Sequence, residues 1–145
     1  MAALSPRLAA IVDALPLRPG MRVLEIGGAP GAAAKAVCTR IAPGGHVLVI
    51  DRSAKGVGLV ERTAAAEIAG GLLSVRQVAA EDFVVLDGEP LFDLAFAVRV
   101  GAFDGRHPRA GVLARARVRA ALVPGGRLLI DGGTPLLDVD LSGTL

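Results

Sequence analysis

The chain has 145 residues, 52% of them apolar and 21% charged, a balance that excludes intrinsic disorder and suffices for one domain with a sizeable core. Its formal net charge is only +2, and the basic residues, all arginine except Lys35 and Lys55, are spread along the chain, so a nucleic-acid surface is not favoured. One cysteine, Cys38, excludes an internal disulfide and a cysteine-based metal site; His46 and His107 lie far apart without metal-ligand spacing, so no metal is expected.

Ser5-Pro6 opens a first helix, a serine cap followed by proline at the first helical position. Leu8, Ile11, Val12 and Leu15 then share one face, and Pro16 and Pro19-Gly20 end the element. A first strand is expected over Arg22–Ile26, followed by a glycine turn and an alanine-rich helix to about Ile41. Pro43-Gly44-Gly45 turns the chain into a second strand, His46–Ile50, which ends at Asp51. Ser53 caps another helix with Val57, Val60, Ala64 and Ile68 inward and Gly70-Gly71 closing it. Leu72–Val78 reads as the third strand and Phe92–Val98 as the fourth, after a turn at Asp87-Gly88-Glu89-Pro90. Pro108 starts the last helix, with Val112, Leu113, Ala116, Ala120 and Val123 as its apolar stripe. Pro124-Gly125-Gly126 breaks that helix before a fifth strand at Arg127–Asp131, and Leu137, Val139 and Leu141 alternate as one short further strand.

Strands alternating with helices predict an α/β fold, a doubly wound and mostly parallel sheet of about five strands with one extra C-terminal strand. The core must be aliphatic, since the chain has four Phe and no Tyr or Trp, and that suits parallel strands covered on both faces. No apolar run approaches the ~18 residues of a membrane span, and the N-terminus has no continuous apolar signal region, so the expectation is a cytoplasmic protein with no membrane partner.

Chemistry concentrates in Glu25-Ile26-Gly27-Gly28-Ala29-Pro30-Gly31. A turn this low in side-chain bulk lets backbone approach a ligand closely. Asp51, at the end of the next strand, stands about 20 residues further on, where an acid that binds a ribose diol belongs. A phosphate loop, G-x-x-x-x-G-K-[ST], fails because Ala33 stands where its second glycine belongs and Lys35 is out of step. A dinucleotide fingerprint, G-x-G-x-x-G, fits only with Ala32 at its sixth position, which leaves an NAD(P)-dependent oxidoreductase as an alternative.

The same turn resembles the E-x-G-x-G-x-G motif of class I S-adenosylmethionine-dependent methyltransferases, and the resemblance continues in family order. Asp51 closes the second strand, Ala80-Glu81-Asp82 follows the third, Phe92–Ala97 forms the fourth, and Leu122-Val123-Pro124-Gly125-Gly126-Arg127-Leu128 matches the family's L-x-P-G-G-x-L. The similarity covers roughly residues 20 to 132 and implies a Rossmann-like methyltransferase fold, shortened at the C-terminus, with S-adenosylmethionine as cofactor and S-adenosylhomocysteine as product.

The resemblance also implies roles. Gly27, Gly28, Ala29 and Gly31 would let backbone pass beneath the methionine and ribose, and Glu25 would hold the turn and the methionine amino group. Asp51, with Arg52 beside it, would accept from the ribose hydroxyls; Ala80 and Glu81 or Asp82 would meet the adenine; Ala97, Val98 and Arg99 would line the site near the transferred methyl. Ala29 replaces the family's middle glycine, and Ala79 stands where many members carry an acid for the adenine amine.

No catalytic base is identified. The family's Asn/Asp-Pro-Pro-aromatic signature, associated with exocyclic amine or glutamine amide acceptors, is absent from residues 97–103, and no second cysteine serves covalent attack on a pyrimidine. The acceptor is expected to be a small molecule or a protein. Arg99 could orient an anionic substrate or form a salt bridge, His107 could start a helix or act as a base, and Cys38 reads as a small buried residue. A second reading, a non-catalytic cofactor-binding or dimerising module, follows from the sheet edge after the fifth strand, which Leu137–Leu141 of a neighbouring copy could cover.

Overall fold

The computed structural model describes residues 4–142. Ser5 caps α1 (Pro6–Ala14), its side chain accepting the Leu8 N–H at 3.2 Å. The chain then runs β1 (Arg22–Ile26), α2 (Ala32–Ile41), β2 (His46–Asp51), α3 (Ala54–Thr63), α4 (Ala65–Ala69), β3 (Leu73–Gln77), a single 3₁₀ turn at Ala80–Asp82, β4 (Phe92–Ala97), α5 (Pro108–Ala121), β5 (Leu122–Asp131) and β6 (Leu136–Val139). The sheet order is β3-β2-β1-β4-β5-β6, parallel through β5 and antiparallel at β6. This is the doubly wound α/β sheet expected from the alternation of elements.

Because successive strand residues face opposite sides, the sheet divides the core in two. Val23, Val47, Val49, Leu94 and Phe96 meet α1, α2 and α3 on one face. Leu24, Ile26, Leu48, Ile50 and Leu128 meet α5 and Phe83 on the other. β1 and β2 are almost wholly buried, as strands covered on both faces must be.

Three local expectations differ from the structure. The helix expected to run from Ser53 through Ile68 bends at Ala64, whose backbone (φ −109°, ψ 26°) leaves the helical region and divides α3 from α4. Ala64 is fully buried, so the bend keeps it on the core while Ile68 still packs there. The apolar stripe of α5 is rotated: Gly111, Ala114, Val118 and Ala121 face inward, whereas Val112 and Leu113 are exposed. Small residues win that face because the helix lies very close to its neighbour; a Cβ on Gly111 would stand 2.5 Å from the Ala102 carbonyl oxygen. Finally, Pro124-Gly125-Gly126 does not precede β5 but lies within it, as an irregularity that shifts the register from Phe92↔Leu122 to Leu94↔Arg127.

The tail after Asp131 pairs with its own sheet. β6 runs antiparallel to β5, with Leu128↔Val139 and Asp131↔Leu136 in register, and Arg127 adds an ion pair to Asp138 at 2.7 Å. The β5 edge is therefore covered within the chain rather than by a neighbouring copy, and β6 is the edge strand on that side of the sheet, with β3 on the other. Among the described residues no helix is long and apolar enough to cross a membrane.

Candidate functional site

β1 is the strand at which the sheet order reverses, with β2 on one side and β4 on the other. Ligands of such sheets bind in the crevice outside the carboxyl ends of the strands at this switch point. Two adjoining cavities occur there, of about 1010 Å³ and about 700 Å³, and Gly27 and Arg99 line both.

The turn after β1 is shaped by contacts that admit no side chain. Gly27 has φ +70°, and its N–H donates to the Ile50 carbonyl at 2.7 Å, which ties the turn to β2. A Cβ there would stand 2.9 Å from Val100 Cγ2. At Gly28 a Cβ would stand 2.7 Å from both the Glu25 carboxyl carbon and Val49 Cγ1. Gly31, at φ +106°, serves the turn differently: it precedes α2 and packs on Val60, away from both cavities.

Beneath this turn lies Glu25, 4% exposed, with its Oε1 buried and without a hydrogen-bond partner. Burial, and secondarily the Asp51 carboxylate, push its pKa up to about 8. A buried polar atom left unpaired costs about 1–3 kcal/mol, and of the four such atoms among the described residues this is the one whose residue lines either of these cavities.

Asp51 ends β2 at the larger cavity. Its Oδ1 accepts the Ser53 N–H at 3.0 Å, and among the described residues Oδ2 has no donor, leaving acceptor capacity for a ligand. Space for this carboxylate comes from Gly56, where a Cβ would lie 2.5 Å from Oδ1. The glycines early in α3, a propensity cost of about 1 kcal/mol each, thus have a purpose at Gly56 that helix periodicity does not disclose.

Of the residues singled out from sequence, Glu25, Gly27, Gly28, Ala29, Val98 and Arg99 line the smaller cavity. Asp51, Arg52, Ala80 and Glu81 line the larger one together with Gly27 and Arg99, while Asp82 lies off it. Ala97 is 1% exposed and belongs to the α5-side core, so its role is packing. Arg99 makes no salt bridge among the described residues, and it is their one non-glycine residue with positive φ (+59°). Cys38 is buried, its thiol pushed up to about 11 mainly by burial, and is inert as a nucleophile. His107 precedes α5 without a side-chain cap and lines the larger cavity.

Asp131 is the residue that motif reading missed. From the end of β5 its Oδ1 accepts the Arg99 N–H at 2.9 Å and its Oδ2 accepts Arg7 Nη2 at 2.7 Å. It thereby ties the loop after β4 and helix α1 to one point beside the crevice. The only available signal is its place at the carboxyl end of a strand.

No protein-family model and no curated protein matches the sequence. Solved structures share the fold. The chain is similar to the pyocyanin biosynthetic protein PhzM, with a TM-score of 0.71 at 19% identity over 86% of this chain and 35% of that one. It is similar to an S-adenosylmethionine-dependent methyltransferase from Thiobacillus denitrificans in complex with S-adenosylhomocysteine, with a TM-score of 0.66 at 23% identity over 88% of this chain and 48% of that one. A third likeness is to phosphoethanolamine N-methyltransferase 2 of Haemonchus contortus in complex with S-adenosylmethionine, with a TM-score of 0.67 at 22% identity over 86% and 27% of the two chains. The chain shares the Rossmann-like methyltransferase fold of these structures and spans 27% to 48% of their length.

Two outcomes test the site's construction. The folded pKa of Glu25 lies above its ordinary value, so the folded state holds a proton that the unfolded chain releases. The resulting stability is fully present below about pH 4.5 and is lost as pH rises to about 8. Thermal unfolding across this range should show that decline for the wild type and a flatter profile for Glu25→Gln; parallel profiles would show that Glu25 is ionised or solvated. Gly56→Ala should lower the melting temperature despite alanine's higher helix propensity, and a rise would show that Asp51 can yield without cost.

Proposed function

We propose that the crevice binds S-adenosylmethionine and that the chain transfers its methyl group to an acceptor. The observation that carries this reading is the unpartnered Glu25 carboxyl buried under the Gly27-Gly28 turn, with a second acid, Asp51, at the end of the adjoining strand. A ligand with a cationic amine at one end and a vicinal diol further along complements that pair. The residues present fit the cofactor: Glu25 would hold the methionine ammonium, and Asp51 Oδ2 would accept from the ribose. Ala80 and Glu81 would border the adenine, with Val78 supplying apolar surface.

When bound, S-adenosylmethionine would supply an electrophilic methyl, to be taken up by the acceptor's electron pair with the thioether as leaving group and the acceptor's proton passing to solvent. The chain's contribution is binding and alignment, worth several kcal/mol when reactants are held in line. Arg99 and Val100, after β4, border the place where the acceptor would stand. No side chain at that wall is assigned as a strong base, which fits an acceptor that is already nucleophilic.

Calorimetric titration with S-adenosylhomocysteine, beside the nicotinamide dinucleotides, tests the reading. Binding of S-adenosylhomocysteine is expected, weakened by about 1–3 kcal/mol in Asp51→Ala. Absence of binding, or tighter binding of a dinucleotide, would overturn the assignment. Glu25, protonated at pH 7 in the free protein, should ionise against the incoming ammonium. Proton release should therefore make the binding enthalpy depend on the buffer, and affinity should rise from pH 6 towards 8. Glu25→Gln should abolish both effects.

A further inference from the structure

The larger cavity extends past the nucleoside end, and its far wall is the segment from Arg99 to Ala110 that joins β4 to α5. This wall is fastened by its own hydrogen bonds. Arg106 Nε donates to both oxygens of Asp104, at 2.9 and 2.8 Å, and Arg106 Nη2 donates to the Arg99 carbonyl at 3.1 Å. The His107 N–H donates to the Gly101 carbonyl at 3.2 Å, and the imidazole occupies the space of the missing side chain: a Cβ on Gly101 would stand 2.5 Å from its Cδ2.

The charge accounting of this wall is uneven. Asp104 is spent on Arg106, and it does not line the cavity. Arg99 and Arg109 do line it, and among the described residues neither guanidinium has a hydrogen-bond or ion-pair partner. The acids on the cavity, Asp51 and Glu81, stand at the nucleoside end, with Arg52 beside Asp51. Between the two ends the lining is apolar, including Val100 and Ala102. Both arginines are exposed, so their guanidiniums stay charged at a concave, solvent-open wall that attracts anions, and their planar donor fork matches a carboxylate or phosphate.

On the methyltransferase reading above, we propose that the methyl acceptor is a small organic anion with an apolar body, its acidic group held by Arg99 and Arg109. A nucleic-acid strand fits less well. It calls for a cationic track with exposed rings on which bases stack, whereas Phe83, Phe92 and Phe96 are buried and Phe103, partly buried, packs against the α5-side core.

The test titrates benzoate, phenyl phosphate and the neutral benzamide, by calorimetry, into the chain alone and into the chain saturated with S-adenosylhomocysteine. At least one anion should bind about tenfold or more tightly than benzamide. The stronger of the two identifies carboxylate or phosphate as the acidic group. Arg109→Gln and Arg99→Asn should each reduce the preference, asparagine being chosen because it tolerates positive φ, while Arg109→Lys, which keeps the charge and loses the planar fork, should retain part of it. Circular dichroism establishes that each variant is folded.

Benzamide binding as tightly as both anions would overturn the proposal, as would a preference that survives in the folded double variant Arg99→Asn/Arg109→Gln. A short single-stranded RNA that outcompetes both anions through the same two arginines would overturn the small-molecule class. If S-adenosylhomocysteine itself does not bind, the methyltransferase reading and the acceptor role fall together. If it binds and no anion preference is found, only the acceptor class falls.

Discussion

The reversal of strand order at β1 is the constraint on which the rest depends. β2 and β4 flank β1, and the connections leaving these strands proceed in opposite directions across the sheet, so with one hand they cover opposite faces. A right-handed crossover on each side leaves no element to close the sheet over the end of β1. The crevice is lined from the ends of β1, β2 and β4, which bring Glu25, Asp51 and, just past β4, Arg99 to its walls. The fold opens the crevice, and the residues at the strand ends give it chemistry.

Sterics then decide how close backbone and side chains come. Gly28 lets the turn settle on Glu25 and Val49, Gly56 lets the first turn of α3 settle on Asp51, and Gly101 lets His107 settle on the loop after β4. In each case the missing Cβ would fall under 3 Å from a side-chain atom of a residue that borders or supports the crevice. The price is paid in helix propensity at Gly56 and in an orphaned oxygen at Glu25. Consistent local preference gives way at functional sites, and here the departures cluster at the mouth of the sheet.

Much of this was legible in the sequence because it rests on period and punctuation. The strands at Val23–Ile26, Val47–Ile50 and Phe92–Ala97 are short apolar runs between turn residues, and Ser5 and Ser53 cap helices as their side chains dictate. Glu25 and Asp51 stand out for the same reason, each being an acid at or next to the end of an apolar strand. What periodicity misjudged is closeness. The buried face of α5 is its small-residue face, so hydrophobic size pointed to Val112 and Leu113, which are exposed. Gly31 was grouped with the ligand-facing glycines, yet its positive φ serves the entry to α2 and its contact is Val60. Neither Asp131 nor the purpose of Gly56 was legible, since both act through partners distant in sequence or on a neighbouring element.

Asp131 also explains how an arginine comes to stand unpaired beside a crevice that contains acids. A non-glycine residue in the left-handed region costs roughly 1–2 kcal/mol, and the Arg99 N–H bond to Asp131 is of the charge-assisted kind that offsets such a cost. The second Asp131 oxygen is taken by Arg7 of α1, so both oxygens of the carboxylate are engaged before the Arg99 guanidinium can compete for them. Glu25, the next acid along the turn, is sealed between sheet and helix and favours its neutral form. The arrangement therefore withholds both acids from Arg99 by different means, one by prior hydrogen bonding and the other by desolvation. A guanidinium so deprived remains hydrated, and neither Asp131 nor Glu25 competes for it with a ligand that brings its own negative charge.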